Sequence, residues 1–312
     1  MDPAQGEAAG QGDPKASVDI CICTYRRESL AQSLVSIADQ TGLDGRKVRV
    51  IVADNDEHPT AESSIRRMGE AVGLTLVYRH APARNISIAR NACLDAASAD
   101  WIACIDDDEV AGSRWLACML AEAEQGGWDA VLGPVKAVYP PDAPGWMRSG
   151  DFHSTRPVVL NGSIETGYSG NALMRRALIE RAGLRFDPRF GRTGGEDVDF
   201  FYRLRDAGGR IGFAPDAWVE EPVSDARARL GWLVVRTFRS GQTYGTRLAR
   251  TRPGPTNRAW QACLATVKAV ACGSAALATL AKPTTRNRFI TRGALHLGVL
   301  ARLVGLTEIE TY

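Results

Sequence analysis

The chain has 312 residues, of which 45% are hydrophobic and 24% are charged. This composition is typical of a globular protein, and it excludes the collagen-like and intrinsically disordered classes. The net charge of +2 hides an uneven distribution, because residues 226–312 carry 14 Lys and Arg but only 2 acidic residues, which leaves residues 1–225 with a net charge of −10. An acidic body with a basic, partly apolar tail predicts a surface for phosphates or anionic lipid.

The first 16 residues are rich in Gly, Ala, Gln and Asp and contain no apolar core. They do not have the pattern of a secretory signal, and we interpret residues 1–16 as a disordered arm. The seven cysteines have no metal-ligand spacing with histidine and no dense framework, so we expect them to be reduced and buried. Cys21 and Cys23 alternate in an apolar run and are expected to share one face of a strand as small hydrophobic residues.

Short apolar runs alternate with helical patterns over the first 125 residues. The predicted strands are 18–23, 48–53, 74–78 and 101–105, and the predicted helices are 29–39, 86–97 and 113–124. This alternation predicts an α/β fold with a mainly parallel central sheet and helices on both faces. Ligands of such sheets bind beyond the carboxyl ends of the strands, which is where the polar clusters of this sequence occur.

The second half of the chain is less regular. A Pro- and Gly-rich segment, 138–167, is too long for an ordinary connection, and we interpret it as a mobile loop over the site. A strand and helix are expected within 168–182, two further strands near Ile211 and Trp218, and helices beyond residue 226. The predicted organisation is therefore a catalytic domain at 17–225 followed by a basic helical extension at 226–312.

Three consecutive acids, Asp106, Asp107 and Asp108, directly follow the apolar run 101–105. Their mutual repulsion lowers stability unless a cation neutralises them, and Mg²⁺ or Mn²⁺ would do so while sharing its coordination with substrate phosphates. The alternative is a solvated acidic turn that caps the next helix.

Other polar residues follow neighbouring strands. Asp54 ends the second strand, where its carboxylate could accept hydrogen bonds from a base or ribose, and Thr24 and Tyr25 end the first, with a hydroxyl and an aromatic face. Arg90, on the helix before the acidic strand, could approach a diphosphate. Each residue alone could equally be a cap, a core residue or a surface charge, so it is their joint placement that predicts a nucleotide site.

A second acidic pair, Glu196 and Asp197, follows two glycines at the start of a helical pattern. Acids in a first helical turn often only complement the helix dipole. If the fold brings this pair opposite the first cluster, one of its carboxylates could act as a general base on an attacking hydroxyl.

Five motifs in this order resemble family 2 inverting glycosyltransferases of the GT-A fold. They are Thr24-Tyr25-Arg26-Arg27, Val52-Ala53-Asp54-Asn55, Ala89-Arg90-Asn91, Ile105-Asp106-Asp107-Asp108 and Gly195-Glu196-Asp197, within residues 17–222. The resemblance implies a nucleotide-diphospho-sugar transferase sheet and a nucleotide site, usually for uridine diphosphate, formed by Thr24, Tyr25, Arg26, Asp54 and Arg90.

The same resemblance implies roles for the acids. Asp106 would face the ribose and donor sugar, and Asp107 is counted with it among the donor-binding residues. Asp108 would bind the metal, Asp197 would be the base and Glu196 would contact the acceptor.

Two departures from the family pattern limit these roles. Arg26 stands where many members have Asn, so we expect altered donor contacts. The Gln-x-x-Arg-Trp element of processive synthases is missing, which favours the addition of one sugar per encounter. Within the family, the sequence is similar to bacterial enzymes of exopolysaccharide assembly, such as those of succinoglycan synthesis.

The basic tail has two apolar parts. Residues 259–281 are long enough to span a membrane but are weakly hydrophobic. Residues 286–302 interleave Arg with apolar residues, as in a helix that rests on anionic lipid, although an ordinary packed helix fits equally well. The tail lacks nucleic-acid-binding signatures, so we expect no nucleic acid partner. We expect a cytoplasmic protein, peripheral on the inner face of the membrane.

The sequence thus predicts a metal-dependent enzyme that moves a sugar from a nucleotide-diphosphate donor to a hydroxyl of a glycan or lipid-linked acceptor. The alternatives are a sugar-nucleotide pyrophosphorylase-like enzyme and a non-catalytic nucleotide-sugar-binding subunit. A pyrophosphorylase would require a Gly-rich loop with Arg or Lys after the first strand. Residues 24–27 contain two arginines but no glycine, so they do not form such a loop.

Overall fold

The computed structural model describes residues 15–43 and 45–309, so all but the last two residues of the predicted arm at 1–16 lie outside the described residues. The strands are β1 (Val18–Thr24), β2 (Val48–Asp54), β3 (Leu76–His80), β4 (Trp101–Ile105), β5 (Val110–Ala111), β6 (Ala130–Leu132), β7 (Val135–Val138), β8 (Val159–Leu160), β9 (Ser163–Ile164), β10 (Asn171–Arg175), β11 (Ile211–Phe213) and β12 (Val219–Pro222). The helices are α1 (Leu30–Ala38), α2 (Glu62–Ala71), α3 (Ile86–Ala96), α4 (Trp115–Gly126), α5 (Gly145–Gly150), α6 (Arg176–Arg181), α7 (Glu196–Asp206), α8 (Leu230–Thr251), α9 (Pro255–Ala278) and α10 (Pro283–Leu303).

The central sheet has seven strands in the order β11-β6-β10-β4-β1-β2-β3. Strands β4, β1, β2 and β3 are parallel, and β10 is inserted antiparallel between β4 and β6. These strands are almost continuously apolar, because helices cover both faces. The predicted α/β fold with a mainly parallel sheet and C-terminal helices is confirmed.

Alternate strand residues enter two cores. Ile20 and Ile22 pack with α1 and α4 on one face, whereas Cys21 packs with α3, α6 and α7 on the other. Cys23 lies on the same face as Cys21, as predicted. All seven cysteines are free. Cys21, Cys93 and Cys104 are buried and Cys23, Cys118 and Cys272 are partly buried, but the expectation of burial is wrong for Cys263, which is exposed on α9.

The inserted strand β10 is anchored by one buried amide. Asn171 is fully buried, and its Oδ1 accepts a hydrogen bond of 2.8 Å from Nε1 of Trp115. Its Nδ2 donates to the carbonyl oxygens of Pro134 (3.0 Å) and Ala217 (2.8 Å). Because every one of these groups is inaccessible to water, losing the amide would leave buried donors and acceptors unsatisfied. Asn171 therefore fixes β10 to α4 and to the segments leading into β7 and β12.

A second, three-stranded sheet, β5-β12-β7, lies beyond the acidic triplet. Strand β5 begins two residues after Asp108, and it pairs with β12 so that Val110 lies opposite Glu220. This pairing carries the neighbouring Glu221 towards the end of β4, although more than 100 residues separate the two in sequence.

The segment 138–167, which we interpreted as a mobile loop over the site, is not a single irregular connection. The segment contains helix α5 and the hairpin β8–β9. Asn161 and Gly162 form the turn of this hairpin, with φ of 51° and 80°. An Asn-Gly pair with two positive φ angles is the turn that best suits the twist of a two-residue hairpin.

The three C-terminal helices form a compact group. A Cβ added at Gly298 would lie 1.9 Å from the carbonyl oxygen of Phe238, and one at Gly241 would lie 2.0 Å from that of Leu295. Glycine is therefore required where α8 and α10 touch. Helix α10 packs against both α8 and α9 and buries Asn287 and Val299, so residues 286–302 form a packed helix.

Helix α9 is the exposed member of this group. Over its most apolar 18 residues the mean hydropathy is 1.4 and only 11% of the residues are buried, so by length and composition it could cross a membrane. Its exposed large side chains are Trp260, Val267, Val270 and Leu277.

Candidate active site

The carboxyl ends of β1, β2 and β4 meet at one edge of the sheet. The hydroxyl of Thr24, at the end of β1, donates a buried hydrogen bond of 2.8 Å to Oδ2 of Asp107, after β4. The amide of Asn55, after β2, donates to the carbonyl oxygen of Thr24 at 2.9 Å. The structure therefore brings together the ends of β1, β2 and β4, where the sequence placed the polar residues.

Asp54 is almost fully buried at the end of β2 and is hydrogen-bonded within the protein. Its Oδ2 accepts from the hydroxyl of Tyr78 at 2.8 Å, and its Oδ1 accepts from the amide of Asp56 at 3.0 Å. Burial, together with this hydrogen bond, raises the pKa of Tyr78 well above its usual value. The neighbouring Asn55, and not Asp54, lines the open cleft.

Tyr25 lies between two arginines at the rim of the cleft. The guanidinium of Arg26 is 5.4 Å from the centre of its ring, and that of Arg84 is 5.7 Å away. Arg26 has a positive φ of 52°, which turns its side chain back to form a two-pronged ion pair with Asp56 at 2.8 and 2.9 Å. Of this group only Tyr25 lines the cleft.

The acidic turn after β4 contains four carboxylates, because Glu109 follows the triplet. Burial raises the pKa of Asp107 to about 6; Thr24 opposes this rise, and the neighbouring Asp108 and Asp106 add to it. Glu109 is buried, and its Oε2 accepts from the amide of Asp106 at 2.8 Å. Burial, followed by the charge of Asp106, raises the pKa of Glu109 well above its usual range.

This crowded turn requires a glycine opposite it. A Cβ added at Gly170 would lie 2.8 Å from Oε1 of Glu109 and 3.1 Å from Oδ2 of Asp106. Gly170 directly precedes β10, and its missing side chain leaves room for the carboxylates of Glu109 and Asp106.

The second acidic pair follows a glycine turn. Gly194 and Gly195 have φ of 81° and 88°, which non-glycine residues rarely adopt, and α7 begins at the next residue. Glu196 is buried, whereas Asp197 is partly exposed and accepts a hydrogen bond of 2.7 Å from the amide of Val198. The turn thus directs the carboxylate of Asp197 to the cleft.

Arg90 connects the two acidic clusters. Its Nη1 contacts Oε1 of Glu196, and its Nη2 is 3.6 Å from Oδ1 of Asp106. Burial alone would lower the pKa of Arg90, but the charges of Glu196 and Asp106 outweigh it and raise the pKa. Burial raises the pKa of Glu196, and Arg90 opposes that rise. Since one guanidinium reaches both turns, the clusters occupy one cleft.

The sequence analysis missed a further side of this cleft. It consists of Glu221 on β12, the loop residue Arg227, and Trp232 and Arg236 on α8. Oε1 of Glu221 lies 2.5 Å from Nη1 of Arg227. Burial raises the pKa of Glu221, and the charge of Asp108 adds to the rise. The only sequence signal was the pair of glutamates before Pro222, since the arginines were counted as part of the basic tail.

The cleft has a volume of about 570 Å³ and is lined by residues from all these groups. Asp197, Arg236 and Arg239 also line two adjoining grooves, one that passes Tyr168 and Gly170 and one that passes Val158 and Tyr244. Asp197 therefore lies where three openings meet, which suits a group that acts between two substrates.

The oxygen atoms near Asp108 fit a hard divalent cation. Nη2 of Arg227 lies 3.7 Å from Oδ2 of Asp108, and Nη1 of the same guanidinium contacts Glu221, so the two carboxylates flank one guanidinium. Mg²⁺ and Mn²⁺ prefer such oxygens and need only one or two protein carboxylates when substrate phosphates complete the coordination. Within residues 15–43 and 45–309, no set of three or more His, Cys, Asp or Glu side chains has metal-site geometry.

Comparison with known proteins identifies the family. The model for glycosyl transferase family 2 matches residues 19–183, which is more than half of the chain. The protein belongs to glycosyl transferase family 2. This family 2 glycosyltransferase is 48% identical over 295 residues to the succinoglycan biosynthesis protein ExoM of Rhizobium meliloti, with 95% of each chain covered.

Two more distant proteins are also similar to this glycosyltransferase. A glucosyl-dolichyl phosphate glucuronosyltransferase of Haloferax volcanii is 24% identical over 245 residues, which cover 72% of this chain and 75% of the relative. The structure of S. aureus TarS in complex with UDP-GlcNAc superposes with a TM-score of 0.54 and 16% identity, over 93% of this chain and 92% of that chain. The structural likeness shows the GT-A fold.

Proposed function

We propose that this glycosyltransferase moves one sugar, with inversion and with the help of a divalent metal, from a UDP-sugar to a hydroxyl of a glycan or lipid-linked acceptor. The observation that carries the proposal is the single cleft that contains both acidic turns, with Asp197 at the junction of its three openings. A donor on one side of Asp197 and an acceptor on the other would place the reacting atoms beside its carboxylate.

The nucleotide lies along the ends of β1 and β2. Tyr25 and Asn55 line this part of the cleft and offer a ring face and an amide to the base and ribose. Asp54 and Arg26 do not line the cleft, since Asp54 is buried and Arg26 is paired with Asp56, so they support the nucleotide site without lining it. This arrangement modifies the expectation that both residues touch the nucleotide directly.

The donor sugar and its diphosphate lie over the acidic turn after β4. Asp106 and Asp107 face the ribose and the sugar, and Asp108 is a ligand of Mg²⁺ or Mn²⁺. The cation, when bound, would stabilise the negative charge that develops on the leaving diphosphate. Arg90 holds Asp106 and Glu196 in place and contributes positive charge near the phosphates.

The transfer is a single displacement. Asp197 accepts the proton of the acceptor hydroxyl, the hydroxyl oxygen forms a bond to the anomeric carbon, and the bond from that carbon to the diphosphate oxygen breaks with its electron pair. Asp197 suits this role because its carboxylate is partly exposed and borders all three openings, whereas Glu196 is buried and paired with Arg90. Glu196 therefore orients the site and contacts the acceptor.

The experiment is a screen of UDP-sugars and other nucleotide sugars, with and without Mn²⁺, for two signals. The right donor should raise the melting temperature of the protein only when metal is present, because a ligand that binds the native state stabilises it. It should also release free nucleoside diphosphate when an acceptor glycan is added. Stabilisation and release that are equal after complete removal of metal would contradict metal dependence.

The similarity to ExoM supports a place in bacterial exopolysaccharide assembly, because the two chains match over 95% of their lengths. Family membership excludes the pyrophosphorylase alternative, and the presence of both acidic turns disfavours a non-catalytic subunit.

The protein is peripheral on the cytoplasmic face of the membrane, with α9 as the contact. Its exposed apolar side chains, including Trp260 and Leu277, would enter the lipid interface, and Arg258 and Lys268 on the same helix would lie near anionic headgroups. Such contact would confine the enzyme to the surface that contains a lipid-linked acceptor.

A further inference from the structure

Arg227 has an unusual position at the proposed metal site. Its guanidinium bridges two carboxylates from distant segments: Nη1 lies 2.5 Å from Oε1 of Glu221, and Nη2 lies 3.7 Å from Oδ2 of Asp108. Its side chain is 29% exposed. A second arginine, Arg27, lies 3.6 Å from the same oxygen of Asp108 and is 48% exposed. Among the residues that the structure describes, Arg227 is the arginine that pairs with both Asp108 and Glu221.

The segment that carries Arg227 is held from outside the cleft. The carbonyl oxygen of Arg227 is 3.0 Å from Nε2 of His153, and the ring of His153 stacks on Trp232 at 5.3 Å. The guanidinium of Arg227 lies 5.8 Å from the centre of the Trp232 ring, and that of Arg236 lies 5.3 Å from it. The backbone of Arg227 is therefore held from outside the cleft, while its partly exposed guanidinium borders the open cleft.

We infer that Arg227 takes the place of the divalent cation between Asp108 and Glu221 when no donor is bound, so that the metal binds by displacing this guanidinium and Glu221 becomes its second protein ligand. The inference rests on the proposed metal-dependent transfer. Two like charges that face one point repel unless a cation lies between them, and either a guanidinium or a metal ion can fill that role. Because both cannot occupy it together, Arg227 lowers the affinity of the donor-free enzyme for metal.

The test is Mn²⁺ binding to the full-length protein without any donor, measured from the loss of the free-ion signal in electron paramagnetic resonance. Arg227→Gln should bind Mn²⁺ about threefold to tenfold more tightly than the wild type, since it removes a competing ion pair. Arg27→Gln is the matched control, because it removes the same charge near Asp108 without opening the bridge, and it should change the affinity by less than about twofold.

The role of Glu221 is tested in the Arg227→Gln background, where competition is absent. Adding Glu221→Gln should weaken Mn²⁺ binding by at least about tenfold through loss of a ligand. Adding Glu220→Gln, which removes the same charge from the adjacent residue of β12 that does not line the cleft, should have little effect. Thermal unfolding checks each variant, and Arg227→Lys replaces Arg227→Gln if the latter does not fold, since one ammonium cannot bridge both carboxylates as a planar guanidinium does.

Equal Mn²⁺ affinities for Arg227→Gln and Arg27→Gln would overturn the inference, as would the absence of Mn²⁺ binding in both the wild type and Arg227→Gln. Equal effects of the two glutamate substitutions would remove Glu221 from the site. None of these results touches sugar transfer, which is measured separately from product release with donor and acceptor present.

Discussion

In the cleft and the groove that passes Tyr168, burial raises the pKa values of five carboxylates, and arginines from four different segments lie among them. In the C-terminal helices, by contrast, α8 and α10 touch through glycines with no charged group between them at the closest points. The first arrangement costs stability and creates binding sites for cations and anions, whereas the second supplies stability through close packing. Substitutions in the two regions should therefore have opposite effects on stability. Removing an acidic charge from the cleft should stabilise the fold and impair activity, whereas adding one carbon between the helices should destabilise the fold.

The largest effect is expected from Asp197→Asn, which keeps the shape of the side chain but removes the proposed base. Transfer should fall by about 10²–10⁴-fold, the usual contribution of a general base, while donor binding is unchanged. Measurement of kcat with saturating donor and of donor affinity by calorimetry checks both halves. Asp199→Asn is the control, because Asp199 lies on the same helix but pairs with Arg203 and Arg250 outside the cleft. Full transfer by the Asp197 variant would refute the assigned role.

The packing side of the comparison is tested by Gly298→Ala. The added Cβ would lie 1.9 Å from the carbonyl oxygen of Phe238, so the helices must separate, and we expect a loss of about 3 kcal/mol in the free energy of unfolding. Gly293→Ala on the same helix is the control, since its Cβ would meet Cys272 at an ordinary 3.5 Å and the substitution should gain up to about 1 kcal/mol from helix propensity. Chemical denaturation measures both, and similar values would mean that α8 and α10 are not in close contact.

Asp107→Asn should stabilise the metal-free protein at pH 8 by about 1–2 kcal/mol. The pKa of Asp107 is about 6 in the folded state and near 3.8 when unfolded, so the carboxylate ionises less readily in the fold and its charge costs stability above pH 6. As pH falls from 6 to 4 the folded state takes up the extra proton and this cost disappears, so the variant and the wild type should converge near pH 4.

Unfolding curves at pH 8 and pH 4 give the comparison for Asp107. Asp95→Asn, an exposed acid that pairs with Arg185, should change the stability by less than about 0.5 kcal/mol at either pH. A variant that is less stable than the wild type at pH 8 would show that the carboxylate of Asp107 stabilises the fold, against the direction of its pKa shift.

The smallest effect concerns the exposed face of α9. Val270→Asp places a charge on an apolar side chain that is 64% exposed, and it should weaken binding to anionic lipid vesicles about tenfold without changing the melting temperature. Val35→Asp, on an exposed site of α1 in the catalytic part, should leave vesicle binding unchanged. Sedimentation with vesicles measures both, and equal binding by wild type and the α9 variant would exclude this face as the contact.

The parts of the molecule that could be predicted are those encoded locally. The apolar run before Asp106 predicted β4, and the carboxyl-end rule for parallel sheets predicted that Thr24 and the acidic triplet would meet, because both statements need only neighbouring residues and a general rule.

The remaining side of the cleft could not be predicted, because Glu221 reaches Asp108 through the pairing of β12 with β5, and no local pattern encodes a pairing between residues more than 100 positions apart. The packing of the tail could not be predicted for a different reason. Arg and apolar residues alternate on α10 in a way that suits both lipid and protein, and the close approach to α8 at the glycines is visible only in the structure.

Thr243 of α8 packs directly against Gly195, and Arg239 of the same helix donates to the carbonyl oxygen of Thr193. The first helix of the extension is thus part of the support for the turn that carries Asp197, so a fragment that stops near residue 225 would lose its catalytic geometry along with its tail. An experiment that separates transfer from the proposed surface attachment therefore has to use point substitutions on α9 and not deletion. In chimaeras between relatives, the stretch from the glycine turn to α10 should be exchanged as one piece. Helix α8 contacts both the glycine turn and α10, so these elements have to come from the same protein to pack together.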